Sequence, residues 1–350
     1  MKAAVLYGNQ DLRYDEIETP AVHDGEIRIK VVATGICGSD IPRVHYNGAH
    51  GYPIILGHEF SGYVDEAASD VKSVKKGDHV IGIPLMPCFE CDDCKAGNFS
   101  LCKHYSFVGS RQNGSMAQYV TLPEKNVMKI DSSIPYETAA FFEPSTVAIH
   151  GIKQCGYKYE SGKTVAILGG GTIGLFVLQW IKILGADKVC VCDIDDSHLK
   201  CSKILGADET LISIAEDFNE QVKAATNSKG FDYVFVSTGS VAAMKTAFEI
   251  AANKAHICFI GTPTKDITFS VREWENMNRK EFYLTGSWMS YSAPWPGDEW
   301  SLTEKYFATG DLKVLPEMIY KSYPLDKAMD AFNEYLTPQN VMGKIQIIDK

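Results

Sequence analysis

Cys88, Cys91, Cys94 and Cys102 follow the spacing C-x2-C-x2-C-x7-C. Thiolates this close together converge on one ion, and four of them complete a tetrahedral shell, the composition of a closed structural zinc site. Iron–sulfur clusters also take four cysteines, usually at other spacings. A second set of possible ligands is dispersed: Cys37, the pair His58-Glu59, and Glu143. Taken singly, each has an ordinary reading: a small buried thiol, a satisfied core histidine, an acid at a helix start. Each also stands beside small residues or a chain break, where a side chain can face a cleft. A catalytic zinc needs three protein ligands and an open position. The third constellation is Gly169-Gly170-Gly171-Thr172-Ile173-Gly174, which fits G-x-G-x-x-G, with an acid, Asp193, further on.

These groups need elements to position them. Thr164–Leu168 is a short β-branched apolar run that reads as a buried strand. The glycine turn follows, then helix-forming sequence to Leu184, a stop at Gly185, and a second apolar run, Lys188–Cys192, that ends at Asp193. In such a unit Gly169 allows the tight turn, Gly171 lets backbone approach a pyrophosphate, and Gly174 lets the helix pack on the strand. Thr172 and Ile173 open the helix, whose free N–H groups and positive dipole end suit phosphates. Asp193 stands where an acid takes the ribose 2′-OH. Its carboxylate repels a 2′-phosphate, and Ile194-Asp195-Asp196 supplies no adjacent cation, so the sequence favours NAD over NADP.

The chain before this unit reads as β-rich, with strands at Lys2–Tyr7, Arg13–Glu18, Glu26–Thr34, Phe60–Ala67 and His79–Ile83 and a loop between Cys37 and His58. Pro135 to Gly156 reads as helix. Further strands follow at Glu209–Ile212, Asp232–Val236, His256–Ile260 and Phe282–Gly286, with helices between them. Six strands alternating with helices predict an α/β doubly wound parallel sheet of the Rossmann type. Backbone at Gly239, Gly261 and Gly286, at the carboxyl ends of later strands, is then expected to hold the nicotinamide half. The tail from about Ala293 reads as helix, closing on a strand at Lys344–Ile348.

The 350 residues predict two domains, with ordinary globular values of 45% hydrophobic and 22% charged residues. A net charge of −10 argues against nucleic acid and anionic membranes as partners. The opening Met1–Tyr7 reaches Gly8-Asn9-Gln10 too soon for a signal peptide, and no apolar run is long enough for a membrane helix, so a cytoplasmic placement is expected. In that reducing setting ten cysteines point to metal or catalysis rather than disulfides. Cys155, Cys190, Cys192, Cys201 and Cys258 fall within strand or helix patterns and read as packing residues.

GxCGSD at 35–40, GHEFSG at 57–62, the four-cysteine lobe and GGGTIG, in this order, resemble the zinc-dependent medium-chain alcohol and polyol dehydrogenases over essentially the whole chain. The stretches GAHGYPIILGHEFSGY, PLMPCFECDDC, FVGSRQNGS and GSWMSYSAPWPGDEW resemble the polyol-phosphate members, relatives of sorbitol dehydrogenase. The resemblance implies a GroES-like catalytic domain, 1–150 plus 293–350, and a nucleotide-binding domain, 151–292. It implies two zinc ions and NAD. Cys37, His58 and Glu143 would be catalytic zinc ligands, with Glu59 an alternate ligand or a base behind them. Ser39 would hydrogen-bond the substrate oxygen and pass its proton toward the cofactor ribose. Homodimers or homotetramers are usual in the family, and Phe282–Trp288 is the candidate contact.

Two departures stand out. Where many relatives carry a histidine to finish a proton relay, this chain has Pro42, leaving His45 or solvent as the end. Where sorbitol dehydrogenases carry an arginine, this chain has Met289, which argues against plain sorbitol. A phosphorylated substrate needs local cations in an acidic chain, and Arg43 and Arg111 are the candidates. An unphosphorylated polyol, diol or threonine is the alternative substrate, and a nucleotide-binding protein without metal chemistry the alternative class.

Overall fold

In the computed structural model, which describes residues 1–337, 341 and 343–349, the chain forms two compact units, Met1–Glu143 with Tyr291–Lys350, and Pro144–Ser290. The second unit is built on a six-stranded parallel sheet. Its strand order is Glu209–Ile212, Lys188–Asp193, Thr164–Leu168, Phe231–Val236, Ala251–Phe259, Tyr283–Gly286. Thr164–Leu168, first in sequence, lies at the centre, so the chain reverses direction beside it. Open α/β sheets bind ligands outside the carboxyl ends of strands at such a switch point. The apolar runs read as strands are continuous because helices cover both faces: Val165, Ala166, Ile167, Val189, Val191, Val234 and Phe235 are fully buried.

The helix Thr172–Ile183 begins directly at the glycine turn. Gly174 is required there by packing: a Cβ on it would stand 1.8 Å from the carbonyl oxygen of Gly169. All five cysteines assigned to packing, Cys155, Cys190, Cys192, Cys201 and Cys258, are buried.

The first unit carries a seven-stranded sheet that runs Val127–Lys129, His79–Gly82, Glu59–Ala67, Glu26–Gly35, Lys344–Ile348, Ile319–Pro324, with Tyr119–Pro123 also pairing with Glu26–Gly35. Lys2–Gly8 pairs with Asp11–Glu16 and with Ile54–Ile55 in a separate sheet. Its apolar faces close over Ile27, Ile29, Val31, Phe60, Val64 and Val80 on one side. Leu6, Leu56, Phe332 and Ile345 lie in a second cluster. The last strand, Lys344–Ile348, inserts beside Glu26–Gly35, so the end of the chain completes the sheet that carries Cys37 and Glu59.

Several elements differ from the sequence reading. The segment 135–156 forms two helices, Tyr136–Ala139 and Phe142–Gln154. The loop after Cys37 contains a short helix, Asp40–His45, which tolerates Pro42 in its first turn. The tail, read as helical, contains the strand Ile319–Pro324; its exposed positions at the sheet edge give it no buried alternation to detect. Among the described residues, no helix is long and apolar enough to cross a membrane.

Candidate active site and cofactor site

Cys37 follows the end of the strand Glu26–Gly35, and His58 and Glu59 stand at the start of the neighbouring antiparallel strand, so sheet register brings them together. Cys37 Sγ and the ligand atoms of His58 and Glu59 all lie within 4.8 Å of one another. His58 is 4% and Glu59 3% exposed. Gly35 makes the arrangement possible, because a Cβ there would stand 2.4 Å from Glu59 Oε2. Glu143, at the head of the helix Phe142–Gln154, lies close enough for His58, Glu59, Lys344 and Asp40 to act on its carboxyl. Burial pushes that carboxyl up to about 7, with Glu59 adding to the effect and His58 opposing it.

Two residues missed by sequence reasoning complete this site. Lys344 Nζ sits on the Glu59 carboxylate at 2.9 Å from Oε1 and 2.7 Å from Oε2, and donates to the Ile36 carbonyl at 3.2 Å. Burial alone would lower the Lys344 pKa; Glu59 and Cys37 outweigh it and hold the ammonium above its ordinary value. A lysine heading the strand Lys-Ile-Gln-Ile-Ile was the available signal. Asp40 is fully buried, with Oδ2 3.6 Å from His58 Nδ1, and neither of these atoms has a hydrogen-bond partner. A proton on Nδ1 facing Asp40 leaves Nε2 of His58 as the metal-binding nitrogen.

The donor set fits a divalent cation. One buried lysine faces Glu59, Glu143 and the Cys37 thiol, whose pKa is raised first by burial and then by Glu59, while Asp40 is paired with Arg43. A thiol, an imidazole and carboxylates converging in one cluster match the composition of zinc sites.

Ser39 is exposed, and its hydroxyl donates to Cys37 Sγ at 3.3 Å. Arg43 donates one N–H to Ser39 Oγ at 3.1 Å and to Asp40 Oδ1 at 2.7 Å. It is thereby tied to the residues around the metal set. His45 is buried, with Nε2 3.0 Å from the Phe332 carbonyl. Arg111 is exposed, lies over the Tyr105 ring at 4.2 Å, and has no carboxylate partner among the described residues. Its backbone N–H bonds the Phe107 carbonyl at 2.9 Å, and the Phe107 ring meets the His58 ring edge-on at 5.3 Å.

The second metal set is more regular. Sγ separations are 3.9 Å for Cys88–Cys94, 3.9 Å for Cys91–Cys102 and 3.5 Å for Cys88–Cys102. Zinc–sulfur bonds of about 2.3 Å at tetrahedral angles place sulfurs about 3.8 Å apart. Backbone N–H groups of Cys91 and Cys88 point at Cys88 Sγ and Cys102 Sγ, each at 3.3 Å. The N–H groups of Glu90 and Cys91 hold the Cys88 thiol down, to about 6. Backbone N–H groups hold the Cys91 thiol down as well, while burial pushes the Cys94 thiol up to about 12.

In the second unit, Gly169 takes φ +103° at the turn, and no atom stands within 4 Å of a Cβ built on Gly171. A cleft of about 140 Å³ opens there, lined by Gly169, Asp193, Ile194, Ser213, Thr238 and Ala243 among others. Asp193 is mostly buried, and its Oδ2 accepts the Gly170 N–H at 2.5 Å. Thr172 and Ile173 begin the helix beside it. Gly239 and Gly261 are packed against backbone, 2.4 Å from Thr262 and Thr238 atoms for a built Cβ, while Gly286 is open. Ile194-Asp195-Asp196 supplies no cation, but His198, five residues on, turns back along its helix to place Nδ1 3.3 Å from Asp193 Oδ2.

A closed four-thiolate set, a cysteine–histidine–glutamate set and a glycine-turn nucleotide unit in one chain describe a metal-dependent dehydrogenase. Residues 23–132 match the alcohol dehydrogenase GroES-like domain and 172–305 the zinc-binding dehydrogenase domain. The chain is 37% identical over 323 residues, 92% of both chains, to galactitol 1-phosphate 5-dehydrogenase of Escherichia coli (strain K12). It is 31% identical to D-arabitol-phosphate dehydrogenase of Enterococcus avium, covering 97% of this chain and 95% of that one. A crystal structure of galactitol-1-phosphate dehydrogenase from Escherichia coli matches with a TM-score of 0.93 and 34% identity, over 100% of both chains. The chain belongs to the zinc-dependent medium-chain alcohol and polyol dehydrogenase family, and is an oxidoreductase acting on CH–OH donors.

Proposed function

We propose that this polyol dehydrogenase oxidises a phosphorylated polyol with NAD, and that galactitol 1-phosphate to tagatose 6-phosphate is its reaction. The observation that carries the chemistry is the convergence of Cys37, His58 and Glu59 within 4.8 Å at a pocket that also holds Glu143. Zinc held by Cys37, His58 and Glu143, with Glu59 as alternate ligand, supplies Lewis-acid polarisation of the substrate hydroxyl, and NAD supplies the hydride acceptor. The chain's own residues do the rest. Asp40 fixes the His58 ring. Lys344 holds Glu59 back as a carboxylate. Ser39 accepts from Arg43 and donates its one proton to Cys37 Sγ, so its hydroxyl is held beside the ligand set, where turning that proton toward the substrate oxygen lets the two exchange it. Gly169, Gly171, Gly174 and Asp193 take the pyrophosphate and adenosine ribose.

Two relatives that act on polyol phosphates support the phosphate, as does the uncommitted charge of Arg111 in the loop that touches His58 through Phe107. Arginine's planar fork donates two parallel hydrogen bonds to a phosphate. Arg43, bound to Ser39 and Asp40, serves the reacting hydroxyl instead. A homo-oligomer in the cytoplasm belongs to the same reading. The edge strand Tyr283–Gly286 leaves Tyr283 53% and Leu284 39% exposed, beside Trp288 at 52%, a surface suited to a second copy. The test is Arg111→Ala assayed on galactitol 1-phosphate and on galactitol. A charge-assisted hydrogen bond of about 1.5–3 kcal/mol gives a ten- to roughly hundredfold loss of kcat/KM on the ester alone. Equal losses on both substrates would assign Arg111 to the fold.

A further inference from the structure

The Asp193 carboxylate is held on every side. Oδ2 accepts the Gly170 N–H at 2.5 Å, Oδ1 accepts the Asp195 N–H at 2.9 Å, and His198 Nδ1 lies 3.3 Å from Oδ2. His198 belongs to the helix Asp196–Ile204, whose N-cap is Asp195. Its Cβ lies 3.0 Å from where a Cβ on Gly170 would stand, so the residue packs directly on the glycine turn. Its side chain is 23% exposed. The charged groups that act on it are Asp193 from the strand and Asp195 from the N-cap. Lys200, on the same helix, is paired with Asp196 at 2.7 Å. No other cation among the described residues stands within ion-pair distance of Asp193.

The Asp193 carboxylate beside the ring raises the His198 pKa, against the effect of burial. The ring therefore keeps its proton to higher pH than an unpaired histidine does. The sign is fixed by this direction: below its raised pKa His198 is a cation beside Asp193, and above it Asp193 keeps an uncompensated negative charge.

We propose that His198 sets the dinucleotide selectivity of this chain through its proton. Neutral, it leaves Asp193 a full charge that accepts the ribose 2′-OH and excludes a 2′-phosphate. Protonated, it cancels that charge and relaxes the exclusion while the hydrogen-bond acceptors remain. The inference rests on Asp193 being the ribose acid. It makes cofactor choice a property of a pair of residues that the sequence shows only as an isolated acid.

The test is calorimetric binding of 5′-AMP and 2′,5′-ADP to the full zinc-loaded chain, without turnover, so that titration of the catalytic site does not enter. The ratio of the two Kd values, 2′,5′-ADP over 5′-AMP, is measured at about pH 7 and about pH 9, both above the second ionisation of the 2′-phosphate near about pH 6. In the wild type the ratio rises roughly five- to tenfold with pH, the effect of one partly screened charge several ångströms away. In His198→Gln, which cannot titrate, it stays high and flat. A wild-type ratio that is above one but flat in pH overturns the role of His198 and leaves Asp193 as the ribose acid. A wild type that binds both nucleotides equally at both pH values overturns the ribose assignment itself. If the glutamine variant does not fold, the wild-type profile decides alone, since no rise with pH refutes the inference.

Discussion

Lys344→Met removes the cation that the buried site relies on when no metal compensates it. Lys344 is 8% and Glu59 3% exposed, and the ammonium lies within 2.9 Å of both carboxylate oxygens. Removing one partner of a buried pair costs about 3–5 kcal/mol, because the other charge is left uncompensated. Methionine keeps most of the stem volume, so lost packing adds little. For a domain of this size 1 kcal/mol is about 2–4 °C in Tm, which predicts a fall of roughly 6–20 °C. The assay is scanning calorimetry on protein with the four-cysteine site filled and the catalytic site emptied, verified by metal content, and again after zinc is restored. With the metal in place Glu59 regains a positive neighbour, and the loss falls to half or less. Adding Glu59→Gln to Lys344→Met recovers most of the stability of the metal-free form, since neither charge then remains. A loss below about 1 kcal/mol without metal, or an equal loss with and without it, would refute the charge argument.

Further expectations concern other parts of the molecule. Cys94→Ser opens the four-thiolate set and lowers both the Tm and the zinc content by one ion per chain, because a closed zinc site contributes folding energy; metal analysis with a thermal melt checks this. Gly174→Ala drives a methyl into the Gly169 carbonyl, 1.8 Å away, and loses about 1–3 kcal/mol of stability together with NAD affinity, read by denaturant melts and cofactor titration. Tyr283→Asp with Leu284→Asp charges the exposed edge strand and shifts the chain to a smaller species in analytical ultracentrifugation, without loss of metal.

The nucleotide unit was legible because its signals are local. Thr164–Leu168 and Lys188–Asp193 are buried on both faces, and Gly169, Gly174 and Gly185 mark the turns between them and their helix. The Ala251–Phe259 strand was read only from His256, because Ala-Ala-Asn-Lys-Ala has no β-forming pattern and is held in place by pairing with Phe231–Val236. The four cysteines were legible for the same reason as the glycine turn: all lie within one short segment. Lys344 was not, since it acts on Glu59, 285 residues away, and an isolated lysine reads as a solvated one. His198 was hidden differently. The polar opening of its helix, Asp196-Ser197-His198, suggests a solvated face, and only the turn of the helix brings the ring back to Asp193.

The most direct measurement is the initial rate of NAD reduction by the zinc-loaded chain with galactitol 1-phosphate and with galactitol, alongside Cys37→Ser as a folded control. The predicted result is turnover of the phosphate ester at least about tenfold more efficient than of the free polyol, and none in Cys37→Ser. Comparable efficiency on the two substrates would contradict the phosphate assignment. Undiminished turnover in Cys37→Ser would contradict the catalytic site itself.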